Sequence, residues 1–153
     1  MPKIDLANVP IRATSNYPQE FLHVVAGREK RALGNAAGLN QFGVNLTTLK
    51  PGAASSLRHW HVQEDEFVYV VEGEVTLIEQ DGETILKAGD AAGFKAGVAN
   101  GHQLVNRSAR DVTYLEMGTR SKGEIAHYPD VDLALSYDAA GKPRYTRKSG
   151  EPY

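Results

Sequence analysis

The 153 residues are 41% hydrophobic and 24% charged with a formal net charge of -2, ordinary values that exclude a disordered chain and a broad basic nucleic-acid surface. The length is enough to bury one core without cross-links and short for two ordinary domains. The absence of cysteine excludes disulfides, thiolate ligands and a cysteine nucleophile, so any metal must be held by imidazole and carboxylate.

In chain order, Met1-Pro2-Lys3-Ile4-Asp5-Leu6 lacks the apolar core of a secretory signal, and no stretch approaches the ~20 apolar residues that span a bilayer. A cytoplasmic protein without membrane or nucleic-acid partners is expected. Residues 1–20, with three prolines and little periodicity, read as an N-terminal arm. From Phe21 onward, short β-like runs separated by glycine predict an all-β sandwich or barrel over residues 21–127.

Strands are predicted at Gln41–Leu49, Phe67–Val71, Val75–Ile78, Thr84–Leu86, Ala91–Phe94, His102–Asn106 and Val112–Glu116. Gly73 between the second and third reads as a hairpin turn, and Asp81-Gly82 as a second one. Residues 128–153 are polar and interrupted, a tail packing on the barrel or on a partner. Its basic segment Lys142–Lys148 reads as solvated.

Chemistry concentrates ahead of the predicted Phe67 strand, in His59-Trp60-His61-Val62-Gln63-Glu64-Asp65-Glu66. Residues two apart on a strand face the same side, so His59 and His61 present two imidazoles to one point while Trp60 faces away. The same period groups Glu66 with Val68 and Val70, opposite Phe67, Tyr69 and Val71. A carboxylate pointing inward among valines is costly unless it is paired or coordinated, and a cation beside two imidazoles removes that cost. His102 is a fourth candidate, on a later strand. The aromatic residues Phe42, Phe67, Tyr69, Phe94 and Tyr114 read as packing, and Gln103 and Glu116 as strand positions able to reach a ligand; no catalytic residue is assigned.

These residues resemble the cupin superfamily. Its first motif runs glycine, five residues, His-x-His, three or four residues, glutamate, six residues, glycine; here Gly52 precedes His59-Trp60-His61 by six residues, and Glu66 and Gly73 follow after four and six. Its second motif runs glycine, five residues, Pro-x-Gly, two residues, histidine, three residues, asparagine; here stand Gly89, Lys95-Ala96-Gly97, His102 and Asn106. This chain departs in one extra residue before His59, lysine for proline at Lys95, and two extra residues before His102. Counted from Gly97 the histidine position falls on Asn100, and counted back from Asn106 it falls on His102. Asn100-Gly101 has the turn chemistry to absorb an insertion, which favours His102.

The resemblance implies a small double-stranded β-helix, or jelly-roll, barrel. It also implies one divalent transition metal (Fe, Mn, Ni, Zn or Co) on His59, His61, Glu66 and His102, with open positions for a small-molecule ligand. Its compact single-domain bacterial members point to a sugar-phosphate isomerase or epimerase. A non-haem metal dioxygenase and a non-catalytic module binding a small carboxylate or sugar acid are the alternatives. A homodimer is expected, because pairing would protect an exposed sheet edge. Metal affinity should fall below about pH 6, where free imidazole protonates.

Overall fold

The computed structural model describes residues 3–153. It is mostly strand: β1 Ile11–Arg12, β2 Arg28–Ala32, β3 Phe42–Leu49, β4 Trp60–His61, β5 Glu66–Glu72, β6 Glu74–Glu79, β7 Gly82–Lys87, β8 Ala91–Phe94, β9 Gln103–Val105, β10 Val112–Thr119, β11 Ala126–Tyr128, β12 Leu133–Tyr137 and β13 Pro143–Thr146. Two 3-10 turns, Leu6–Asn8 and Gln19–Val25, and the four-residue helix α1, Leu33–Ala36, complete the described elements. Among the described residues no helix is long and apolar enough to cross a membrane.

The strands form two facing walls. One is a six-stranded antiparallel sheet in the order β1-β2-β3-β10-β5-β8. The other combines β13-β12-β11-β4 with β7-β6-β9. These two pieces meet where His59 and His102 exchange backbone hydrogen bonds, His59 N–H donating to the His102 carbonyl at 3.1 Å and His102 N–H to the His59 carbonyl at 2.8 Å. The result is the jelly-roll barrel expected from the sequence.

One predicted hairpin is absent. β5 pairs with β10 and β8, whereas β6 pairs with β7 and β9. Gly73 therefore carries the chain from one wall to the other rather than folding it back on itself. Its φ of +83° needs glycine, and a Cβ there would lie 2.8 Å from the Asp111 carbonyl oxygen. The second hairpin is present, with Glu79 opposite Gly82 around Gln80-Asp81.

Alternation along β5 follows the predicted faces. Val68 and Val70 are buried among Leu49, Val75, Leu77, Leu86, Leu104, Val112 and Tyr114, while Phe67, Tyr69 and Val71 are exposed. A second core lies under the chain's end: Ala126, Tyr128, Leu133 and Leu135 pack with Tyr17 and Val25. The segment expected to be solvated supplies β13, paired with β12, and its Tyr145 meets Tyr17 edge-to-face at 5.7 Å. Its basic side chains, Lys142, Arg144, Arg147 and Lys148, remain exposed together with Pro143. Tyr145 and Thr146, half-buried in mid-segment, explain how a polar-looking stretch still anchors to the barrel.

Candidate metal centre

β4 places His59 and His61 on the inner side, and between them Trp60 turns outward to stack on His127 at 4.6 Å. The backbone pair of His59 with His102 sets the third imidazole beside the first, their ring centroids 4.8 Å apart. Glu66 opens β5 opposite Gly118 of β10, itself opposite Gly43 of β3. A Cβ on Gly118 would stand 3.6 Å from Glu66 Cγ, so the two glycines keep the carboxylate's side of the barrel open.

Three imidazole nitrogens converge on one carboxylate oxygen. Glu66 Oε2 lies 2.7 Å from His102 Nε2, 3.4 Å from His61 Nε2 and 3.7 Å from His59 Nε2. The opposite ring nitrogens of two histidines are occupied. His59 Nδ1 donates to the Leu57 carbonyl at 2.9 Å, and His61 Nδ1 lies 3.3 Å from Glu124 Oε1. Protons held at Nδ1 leave the Nε2 lone pairs facing the cluster. His102 stacks flat on Phe94, 3.6 Å between centroids and 5° between planes.

Burial pushes His59 down to about 4, against the attraction of Glu66. For Glu66, burial alone would raise the carboxyl, but the adjacent His102 and the charges of His59 and His61 outweigh it and hold the group well below the usual carboxylate range. Neutral imidazole beside ionised carboxylate is the protonation state that metal binding requires. Among the described residues His102 Nδ1 is buried without a hydrogen-bond partner, and buried Glu66 Oε2 has the three imidazole Nε2 atoms around it, an arrangement that is costly for protein alone. A divalent cation with nitrogen and oxygen preference would relieve Glu66 Oε2 and use all four donors, so the residues present fit such an ion.

Other predicted residues sort by position. Asn100, the rival to His102, clamps an outer turn through Glu79 and the Gln80 amide. Gly101 lets the chain pass against Pro129, whose Cγ would lie 3.0 Å from a Cβ there. Lys95 is exposed. Gln103 donates to the Ser56 carbonyl at 2.6 Å and holds a loop rather than facing a ligand. Glu116 does face the interior, ion-paired to Lys30 and accepting from Asn45 Nδ2 at 3.0 Å.

Sequence reasoning missed four further residues, Glu124, Arg28, Lys30 and Asn45. Glu124, almost fully buried, accepts from the Val62 amide at 2.9 Å and the Gln63 amide at 2.8 Å while bracing His61; nothing in its spacing announces this. Arg28, Lys30, Asn45 and Tyr114 line the barrel opposite the histidines or beside them. Only the alternate placing of Arg28 and Lys30 on a strand could have hinted at a charged inner face. The interior cavity holds about 240 Å³ and is bounded by the three histidines, Glu66, Arg28 and Tyr114. Past Glu66 and Glu116 it meets a wider groove reaching Gly43, Gly118 and Tyr137.

Comparison with known proteins agrees with this geometry. A family model described as Cupin domain matches residues 45–118. The crystal structure of a cupin-superfamily sugar phosphate isomerase from Silicibacter pomeroyi is 47% identical, covering 99% of this chain and 96% of that one at a TM-score of 0.95. A structure from Acidithiobacillus ferrooxidans, described provisionally as a sugar phosphate isomerase, is 28% identical over 82% of this chain and 80% of its own, with a TM-score of 0.74. Among curated proteins, the polyketide synthase CurC of Streptomyces cyaneus is 31% identical over 71% of this chain and 70% of its own length.

Proposed function

This chain belongs to the cupin superfamily, and from that premise we propose that it is a metal-dependent enzyme of the sugar-phosphate isomerase kind, acting on a small oxygenated substrate. The observation that carries the reading is the convergence of His59, His61 and His102 Nε2 on Glu66 Oε2, beside a cavity of about 240 Å³. In this reading those four residues hold one divalent metal. When bound, the metal supplies Lewis acidity toward a carbonyl or hydroxyl oxygen of the substrate.

The chain's own residues supply the rest. Glu116 is placed to take a proton from substrate carbon or oxygen and return it, with Lys30 and Asn45 holding its carboxylate in position. Phe94, stacked on His102, and Tyr128, beside His59 at 5.8 Å, exclude water from one side of the cluster. A polyketide substrate is the second reading, favoured by the curated relative; the small interior cavity weighs toward a few-carbon molecule instead. The exposed stripe of Phe67, Tyr69 and Val71 on the outer sheet face supports the homodimer, which light scattering checks by mass.

Elemental analysis of the purified protein tests the metal reading directly. About one metal per chain is expected, lost in both His59→Ala and His102→Ala. Retention in His102→Ala removes that residue from the set, and wild-type protein that takes up no metal on reconstitution overturns the proposal.

A further inference from the structure

Arg28 is the least expected charge in the barrel. It stands at the start of β2 with only 8% of its surface exposed, and among the described residues no carboxylate lies within ion-pair distance of it. Its guanidinium donates to two backbone carbonyls, those of Ser55 and, at a longer 3.4 Å, of Thr14. Guanidinium cannot shed its proton to escape burial, and two neutral carbonyls compensate a buried cation only in part. Those two bonds use fewer than half of its five donors, and the residue lines the cavity wall.

Tyr114 adds an independent observation. It is fully buried and borders the same cavity, and among the described residues its hydroxyl makes no hydrogen bond of normal geometry, with the buried hydroxyl of its cross-strand partner Thr47 beside it. Burial holds that hydroxyl well above its ordinary value, so it offers an O–H. A buried hydroxyl donor in the same cavity wall as a buried cation compensated only by carbonyls is costly for the empty protein and is relieved by one anionic acceptor. Arg28 also borders a side cavity of about 220 Å³ lined by Arg12, Lys30, Asn45 and Tyr145 among others, with no carboxylate in its wall. The two cavities share Ser15, Arg28, Lys30 and Tyr145.

We propose that Arg28, with Tyr114 beside it, forms an anion subsite at the junction of the two cavities and that the small-molecule ligand carries a phosphate or carboxylate group seated there. The opposite end of the ligand then lies toward His59, His61 and Glu66, so the acid group sets which oxygen meets that cluster. This deepens the proposed function by assigning the residues that seat the substrate's acid group, and it rests on that reading only for the end away from Arg28. Arg28 is a substrate-binding residue here, and holding the Thr14 and Ser55 segments is the structural role it must be distinguished from.

The test is calorimetric titration of wild type, Arg28→Gln and Tyr114→Phe with glycerol 3-phosphate, glycerate and glycerol, each on metal-loaded and metal-free protein. One acid should bind wild type at about one per chain, and whichever binds more tightly distinguishes phosphate from carboxylate. Glycerol should bind far more weakly. Arg28→Gln should weaken the acid roughly tenfold or more and Tyr114→Phe about threefold, with glycerol unaffected.

A structural role alone would lower the melting temperature of Arg28→Gln and leave the acid's affinity unchanged in the folded fraction. That result overturns the subsite, as does glycerol binding as tightly as its phosphate or neither acid binding wild type. If Arg28→Gln does not fold, Tyr114→Phe answers the same question, since it removes a donor without changing the ring's volume. Acid binding that survives metal removal and still depends on these residues upholds the subsite even where the metal reading fails. Acid binding that requires metal and ignores both substitutions overturns it while leaving the metal reading intact.

Discussion

The two sides of the barrel cavity carry their chemistry in different ways. On one, His59, His61 and Glu66 come from a single short stretch of chain, and His102 joins them through one backbone pair with His59. On the other, Arg28 and Lys30 of β2, Asn45 of β3, and Tyr114 and Glu116 of β10 meet only because those strands lie side by side, Lys30 opposite Thr47 and Thr47 opposite Tyr114. A chelate needs donors at fixed short spacing, so it leaves a pattern along the chain. A substrate-facing wall is assembled by strand register, and its members have no spacing of their own. If this contrast is functional, the first side holds the metal and the second meets the substrate, and the two should respond separately to substitution.

The largest separation is expected at Glu116. Glu116→Gln keeps the shape and removes the proton acceptor, so turnover of a sugar phosphate should fall by roughly 10²–10⁴-fold while metal content stays at the wild-type level. Metal lost together with turnover would break the division between the two sides. Glu124→Gln tests the other half. With the carboxylate that braces His61 Nδ1 and accepts two backbone amides replaced, metal affinity should weaken about 10–100-fold in a chelator competition. Undiminished affinity would show that the backbone of β4 alone orients His61.

The same contrast explains what the sequence made legible. The strands from β3 to β10 and the inward set Glu66, Val68 and Val70 follow from alternation, which is a local property. His102 was placed over Asn100 by reading Asn100-Gly101 as a turn, and the structure holds the half-buried Asn100 by hydrogen bonds to Glu79 and Gln80 rather than at Glu66. The assignment of β5 and β6 to one hairpin failed because a glycine turn between two apolar runs reads alike whether the second run folds back or crosses to the facing wall. Partner choice is decided by the long-range pairs β5 with β10 and β6 with β9. The strand within Lys142–Lys148 was missed for a related reason: Tyr145 anchors β13 against Tyr17, residues that no local pattern joins.

Gly101 offers a smaller and purely structural test. Its neighbour Pro129 begins the segment that closes the second core, and Arg58 Cγ would also lie 3.3 Å from an added Cβ. Gly101→Ala must displace the exposed Pro129 ring and the Arg58 side chain by a few tenths of an ångström, at a cost of about 1 kcal/mol, a few degrees of melting temperature. Metal content should be retained, since the displacement falls on the turn after β11 and leaves the pairing of β11 with β4 in place. Loss of metal would show that His102 depends on this packing as well as on its backbone pair.

The mildest effect concerns pH, and it narrows an expectation taken from free imidazole. Burial holds His59 near 4 rather than 6.5, and Glu66 stays ionised well below the usual carboxylate range. In the folded protein neither group takes up a proton between pH 6 and 5, so metal lost there is not displaced by a proton on His59 or Glu66. The metal-free protein behaves differently. Between 6.5 and about 4 its unfolded form binds a proton at His59 that the folded form refuses, so stability rises with pH across that window and is lost as pH falls through it. Chemical denaturation of metal-free protein should show weakening from pH 6.5 downward to about 4. Stability that stays flat across that window would mean that His59 is charged in the folded state, and that burial does not set its protonation.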